Sequence, residues 1–428
     1  MRRAQALRRL PSVSAAVFRR GEVVWKEALG LANVEERVAT TPDTQYRIGS
    51  VTKTFTAVAV MQLRDEGRLT LEDTLERHVP GTRHGALTLR GLLSHFSGLQ
   101  REIPGEIWEN LEQAKERDLL ETLPEAESVL RPAQEWHYSN LAFELLGEVV
   151  QRVSGEPYRE RVRTRLLEPL GLARTTWVPE PPFARGYLVE AYGDSVRPEA
   201  PTEIPGIGAA GQLWSTSPDL CRWGAFLAEP DPAVLDPETA REMHGFQAMA
   251  DLETWSLGWG LGIELFRRGD RIFAGHTGGM PGFVTILSYS RKEHVGSVVL
   301  MSSGAPDPGE QTGLLLTEKA IELLAEPSVW EPVAEAPEAI VPLLGRWWSE
   351  GYEFVFSYRE GRLHARPATA RPTAPPAVFA PDGDDRFRTL SGSERGELLR
   401  VVRNEAGEVE KLYWATYPFT RDQRAFSE

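Results

Sequence analysis

What most limits the fold of this chain is the distance between its strand-like segments. Residues 12–35, SVSAAVFRRGEVVWKEALGLANVE, are two apolar-rich runs around an Arg-Gly turn, the pattern of a β-hairpin. Comparable runs return only at 271–303, as RIFAGHTGG, GFVTILSYS and VGSVVLMSS, and QTGLLLTEKAIELLA at 311–325 then closes the block as a helix. Between the two ends a helix is predicted from near Ser50 to RDEG, with Phe55, Val58, Ala59 and Leu63 as its apolar stripe and Gly67 as its stop. Residues 88–245 are mainly helical in pattern, broken by loops such as PEPPFARG. Such a chain has to assemble one sheet from distant segments, which predicts an α/β domain with a helical insertion.

The remainder has another rhythm. EPSVWEPVAEAPEAIVP is rich in Pro and Glu without periodicity and reads as a linker. Beyond it YEFVFSY, RLHARP, ELLRVVR and KLYWATY are separated by the turn signals REG, PDGDD, GSERG and NEAGE, which predicts a small antiparallel barrel or sandwich. The expected domains are therefore 1–328, a linker at 329–342, and a β-domain at 343–428. The role expected of the last is stability or a contact in a homodimer, with a loop such as PDGDDRF reaching toward a site as the alternative.

Net charge −14 removes the basic face that a nucleic-acid or anionic-membrane partner needs. No apolar run approaches the roughly 20 residues of a membrane span. The start, MRRAQALRRLPSVSAAVFRRGE, does not read as a secretory leader, so a cytoplasmic location is expected. The single cysteine, Cys221, excludes intrachain disulfides and Cys-rich metal sites, and in STSPDLCRWGAFL it reads as buried filler. Eight histidines without ligand spacing leave a metal hydrolase without its ligands, and no cofactor is expected. GIGAAG at 206–211 has the glycine spacing of a dinucleotide loop but no βαβ context, and reads as a wall loop of a site. The tryptophans of ETWSLGWGLG suit a substrate groove or the core equally.

RIGSVTKTFTA, residues 47–57, sets Lys53 one helical turn after Ser50. Residues three apart on a helix share a face, with Cβ atoms about 5–6 Å apart, so the amine can reach the hydroxyl. A serine hydroxyl is a poor nucleophile until a base takes its proton, and a lysine becomes that base when burial lowers its pKa. The plain alternative is that Ser50 caps the helix and Lys53 is a solvated first-turn residue.

Two more motifs decide between these. EWHYSNLAF holds Tyr138 and Asn140, the only Tyr-x-Asn among ten tyrosines, and AGHTGGMPGF holds His276, Thr277, Gly278 and Gly279 at a strand end. Ser-x-x-Lys, Tyr-x-Asn and His-Thr-Gly, in that order and at wide separations, resemble the serine acyl-enzymes that comprise class C β-lactamases, D-Ala-D-Ala peptidases, D-amino-acid amidases and related esterases. LLSHFSGL at 92–99 and GAAGQLWSTSPDL at 208–220 are similar to framework stretches of that family, and the resemblance covers about residues 11–325.

The resemblance implies a β-lactamase/transpeptidase-like fold, an antiparallel sheet flanked by helices, with a lipocalin-like barrel appended. It implies Ser50 as nucleophile, Lys53 as its amine partner, and Tyr138 as the phenol relaying protons. It implies that Asn140 binds the substrate's acyl amide, that Ser50 and Gly279 supply the oxyanion N–H groups, and that His276 and Thr277 line the substrate strand and meet its carboxylate. A cation beside the phenol is expected to lower its pKa while low dielectric lowers the amine's. His95 and His137 are expected to be framework. His276 where the best-known relatives carry lysine weakens a fixed positive charge for a carboxylate. The expected substrate is a small ester or a D-amino-acid or peptide amide, ranked above a β-lactam, with a β-lactamase, or a penicillin-binding protein that acylates but turns over slowly, as the alternative.

Overall fold

The computed structural model describes residues 1–105, 107–109, 119–200, 208–304, 309–325, 335–371 and 374–424. The chain divides into two units, Met1–Glu326 and Pro327–Glu428. Residues 326–334, which include the first part of the expected linker, lie outside the described residues.

The first unit is organised by a nine-stranded sheet whose order shows the two chain ends meeting. Its strands are β1 (Ser12–Arg19), β2 (Glu22–Asn33), β3 (Val38–Ala39), β4 (Ala248–Met249), β5 (Leu257–Trp259), β6 (Glu264–Arg268), β7 (Arg271–Met280), β8 (Phe283–Ser290) and β9 (Val295–Met301), in the spatial order β3-β2-β1-β9-β8-β7-β6-β5-β4. Every neighbouring pair is antiparallel. The hairpin and the three late runs stand as expected, and β1 joins β9 from Val13 opposite Met301 to Arg19 opposite Val295. The short strands β4, β5 and β6 carry too few alternating residues to stand out in the sequence.

Both faces of the sheet are covered. Leu287 and Ser288 are consecutive on β8 and so point to opposite faces. Leu287 meets Gly224 of α3 (Ser217–Ala228), where a Cβ would come within 2.7 Å of its Cδ1. Ser288 Oγ lies 2.7 Å from Thr317 Oγ1 of α4 (Gly309–Leu324). Between sheet and insertion runs α1 (Thr52–Asp65), buried without a break from Thr52 to Met61. Its TKTFTAVAV start is rich in β-branched residues with modest helix propensity, so burial on all sides, including Phe55 stacked on Trp223 at 3.8 Å, outweighs intrinsic preference. Among its described residues the 88–245 stretch holds mostly short helices joined by irregular chain, with α3 and α2 (Asn140–Ser154) as the longest of them. Ser139 caps α2, accepting from Ala142 N–H at 3.0 Å, and Gly155 ends it in the left-handed region.

The second unit is an eight-stranded antiparallel meander, Gly345–Ser349, Tyr352–Arg359, Arg362–Pro367, Ala377–Pro381, Arg386–Thr389, Leu398–Arg403, Val409–Trp414 and Tyr417–Phe419. Paired Trp348 and Thr420 N–H···O bonds of 2.8 and 3.0 Å join first strand to last and nearly close the barrel. Trp347, Phe356, Leu363, Phe379, Leu399 and Leu412 fill it. Four of the eight strands were legible as β-type runs; the others are short or lie against proline.

Candidate active site

The site sits where the sheet has a free edge. β6 pairs with β7 only as far as Gly275, so residues 276–280 bond to β8 on one side and leave the other edge open. A single turn of 3₁₀ helix, Gly49–Val51, lies against that edge and leads into α1. The approach demands glycine: a Cβ on Gly278 would sit 2.0 Å from Ile48 O, and one on Gly49, at φ +53°, 2.8 Å from Gly279 N. Ser50 and Gly279 peptides are thereby brought close, and open space lies beside the Gly279 Cα. Ser50 makes no cap to α1, whose N-cap is Val51, so the plain helix-cap reading of Ser50 falls. Ser50 is half-buried.

Lys53 is fully buried, not solvated. Its Nζ lies 3.0 Å from Ser50 Oγ, 2.6 Å from Asn140 Oδ1 and 2.9 Å from Ala210 O. The last two oxygens can only accept, because Asn140 uses its Nδ2 to donate to Glu102 Oε1 at 2.8 Å. A neutral amine has two N–H groups and one lone pair. With both N–H groups taken by Asn140 and Ala210, the lone pair is left for the Ser50 hydroxyl. Burial pushes the Lys53 amine down to about 7, against the opposing pull of Glu144, Glu102 and Glu264.

Tyr138 completes the group, its phenol near enough to Ser50 for that side chain to lower its pKa. Here the expectation from sequence is corrected. Burial raises the Tyr138 phenol far above its usual value, and Ser50 offsets only part of that. Lys53 Nζ stands over the ring, 5.0 Å from its centroid, so its charge does not favour a phenolate as an in-plane contact to the oxygen would. The phenol holds its proton and is suited to give one rather than to take one.

Asn140, expected to bind the substrate's acyl amide, has its side-chain amide between Lys53 and Glu102, accepting from the first and donating to the second. His276 is fully buried, its Nδ1 donating to Thr277 O at 2.6 Å, and burial pushes its ring down to about 3. It stays neutral and offers a carboxylate no charge. Thr277 is half-buried and bonds through both N–H and Oγ1 to Glu264, at 2.8 and 3.0 Å.

Three acids had no motif to announce them. Glu102 is bonded through Oε1 to Asn140, while its buried Oε2 has no hydrogen-bond partner among the described residues. Glu144, one turn beyond Asn140 on α2, accepts from Ala209 and Ala210 N–H, and burial pushes its carboxyl up to about 8. An acid inside the apolar run LAFELL was the available signal. Of GIGAAG, Gly208–Gly211 forms a short helical turn whose Ala210 carbonyl holds Lys53; residues 206 and 207 lie outside the described residues. Trp259 is buried against His95, Tyr138 and His276, whereas Trp255 is exposed. Cys221 is buried, as expected. Among the described residues no group is placed to hold a metal ion, and no helix is long and apolar enough to cross a membrane.

A serine at a sheet edge, a buried amine 3.0 Å from its oxygen and a tyrosine ring against that amine form the centre of the site. Residues 1–320 match the beta-lactamase family, and the chain belongs to it; residues 336–421 match a domain of unknown function. Protein flp of Staphylococcus aureus is 25% identical over 308 residues, 68% of this chain, and the chain spans 59% of that relative's length. The D-amino acid amidase of Ochrobactrum anthropi SV3 is 25% identical with a TM-score of 0.66, covering 75% of this chain and 96% of its own. The octameric penicillin-binding protein homologue of Pyrococcus abyssi, 24% identical with a TM-score of 0.63, covers 98% of both chains and shows the same fold throughout.

Proposed function

We propose that the protein is a serine hydrolase forming an acyl-enzyme at Ser50, acting on small amides or esters whose acyl part carries a free α-amino group, in the D configuration. The observation that carries the substrate class is the buried Oε2 of Glu102, which has no hydrogen-bond partner among the described residues, on a carboxylate whose Oε1 holds Asn140 and lies 3.5 Å from Arg101 Nε. A substrate ammonium can donate to that oxygen, whereas an acylated amine brings no charge to it. The neutral His276 supports the same reading, because a β-lactam or peptide carboxylate finds no fixed cation there. The D configuration is supported by the likeness to the D-amino acid amidase.

In this mechanism Lys53 takes the Ser50 proton as Oγ bonds to the acyl carbon, and the Ser50 and Gly279 N–H groups hold the resulting oxyanion. Tyr138 passes its proton to the departing amine or alkoxide and is resupplied by the Lys53 ammonium. Water then attacks the acyl carbon, yielding a proton to Lys53 while Ser50 Oγ leaves and regains its own.

The test compares D-phenylalanine p-nitroanilide, its N-acetyl derivative and benzylpenicillin. The free amine is expected to be preferred by roughly 100-fold in kcat/KM, the preference to collapse in Glu102→Gln, and all turnover to vanish in Ser50→Ala. Equal rates for the amine and its acetylated form refute the substrate class. Rapid Ser50-dependent turnover of penicillin alone would establish a β-lactamase instead.

A further inference from the structure

His95 makes more contacts to the Tyr138 segment than a framework residue needs. It follows the short helix Leu89–Leu93 and adopts a left-handed conformation at φ +55°, which is uncommon outside glycine. From there it holds three consecutive residues. Its carbonyl accepts from His137 N–H at 2.8 Å, its Nδ1 accepts from Ser139 N–H at 3.0 Å, and its ring stacks on Tyr138 with centroids 4.3 Å apart and planes 28° apart. The two hydrogen bonds flank the tyrosine, and the stack sets the plane of its ring.

The tautomer is fixed by the same contacts. Nδ1 accepts a backbone N–H, so Nε2 carries the hydrogen of the neutral ring. That Nε2 is buried without a hydrogen-bond partner among the described residues, enclosed by Trp259 and Phe143 at centroid distances of 5.1 Å. A second proton would have to enter at Nδ1 and break the bond to Ser139. Burial, with Lys53, His276, Arg101 and His137 adding to it, holds the ring well below its ordinary pKa.

We propose that His95 is a positioning residue for Tyr138, clamping residues 137–139 so that the phenol stays beside Ser50 with Lys53 beneath its ring. The proposal rests on the Ser50 acyl-enzyme reading. It assigns His95 no contact with substrate and no proton transfer: its effect passes through the Tyr138 hydroxyl.

The experiment is a double-mutant cycle in the full chain with p-nitrophenyl acetate. Asparagine tolerates the left-handed backbone, and its Oδ1 stands where Nδ1 does, so His95→Asn keeps the Ser139 bond and removes the ring with its stack on Tyr138. His95→Phe keeps a ring and loses the acceptor. His95→Asn is expected to lower kcat about 10-fold and His95→Phe about 100-fold, with KM within about threefold and cooperative melting retained. In a Tyr138→Phe background, His95→Asn is expected to cost less than about twofold, because the hydroxyl it positions is gone. An equal cost in both backgrounds, or a change carried by KM alone, overturns the clamp; His95→Asn retains the acceptor, so the cycle stands even where His95→Phe fails to fold. Retention of turnover in Ser50→Ala identifies the other failure, that of the hydrolase reading, and the clamp falls with it.

Discussion

Lys53→Met is expected to lower kcat for a p-nitrophenyl ester about 10³-fold and to leave KM within a few fold. The side chain is fully buried and its nitrogen lies 3.0 Å from Ser50 Oγ, so methionine fills the volume and removes the base together with its hydrogen bonds to Asn140 and Ala210. General-base catalysis contributes roughly 10²–10⁴-fold, and loss from kcat rather than KM marks an interaction made in the transition state. In the parent protein kcat/KM should rise with pH through about 7, where the amine loses its proton, and this limb should disappear in the variant. Stability follows with a definite sign. Folding lowers the amine's pKa from 10.5 to about 7, so between these values the folded chain binds fewer protons than the unfolded one. The cost of burying the amine is therefore full below pH 7 and is relieved as pH rises toward 10.5. Parent-like kcat in Lys53→Met would end the proposed mechanism.

Gly278→Ala is expected to reduce kcat/KM by about 10²–10³-fold and to lower Tm by about 5–10 °C. The added Cβ would stand 2.0 Å from Ile48 O and 3.2 Å from Ser50 N, both backbone atoms with no rotamer to turn aside. β7 must then move off the Ser50 turn, and the Gly279 N–H moves with it. Gly279→Ala is the control, since nothing lies within 4 Å of its new Cβ, and its Tm should match the parent's. Parent-like activity in Gly278→Ala would show that the two peptides do not form the oxyanion site.

Much of the site was legible because its reacting groups come in short motifs. Ser50 and Lys53 share one turn, Tyr138 and Asn140 flank the cap of α2, and the β7 segment ends in a run of small residues. The acids were not legible. Glu102, Glu144 and Glu264 come from a loop, a helix and a strand, and their effect on Lys53 depends on burial and distance, which no spacing encodes. The phenol's raised pKa was likewise misread from residue types alone, because burial outweighs the expected influence of the cation. The strands β4 to β6 escaped for another reason: two to five residues carry too little alternation to be seen.

By itself, the sequence determined that one sheet is built from both ends of the first unit, that a barrel-like unit follows, and that a hydroxyl and an amine share a helical turn. These follow from local periodicity and spacing, which survive in any fold the chain adopts. Only the tertiary structure decided that Lys53 is dry, that its two N–H groups are spoken for by Asn140 and Ala210, and that His95 grips the residues on either side of Tyr138. Those contacts join residues from 42 to 157 positions apart, and packing brings them together without any local signal.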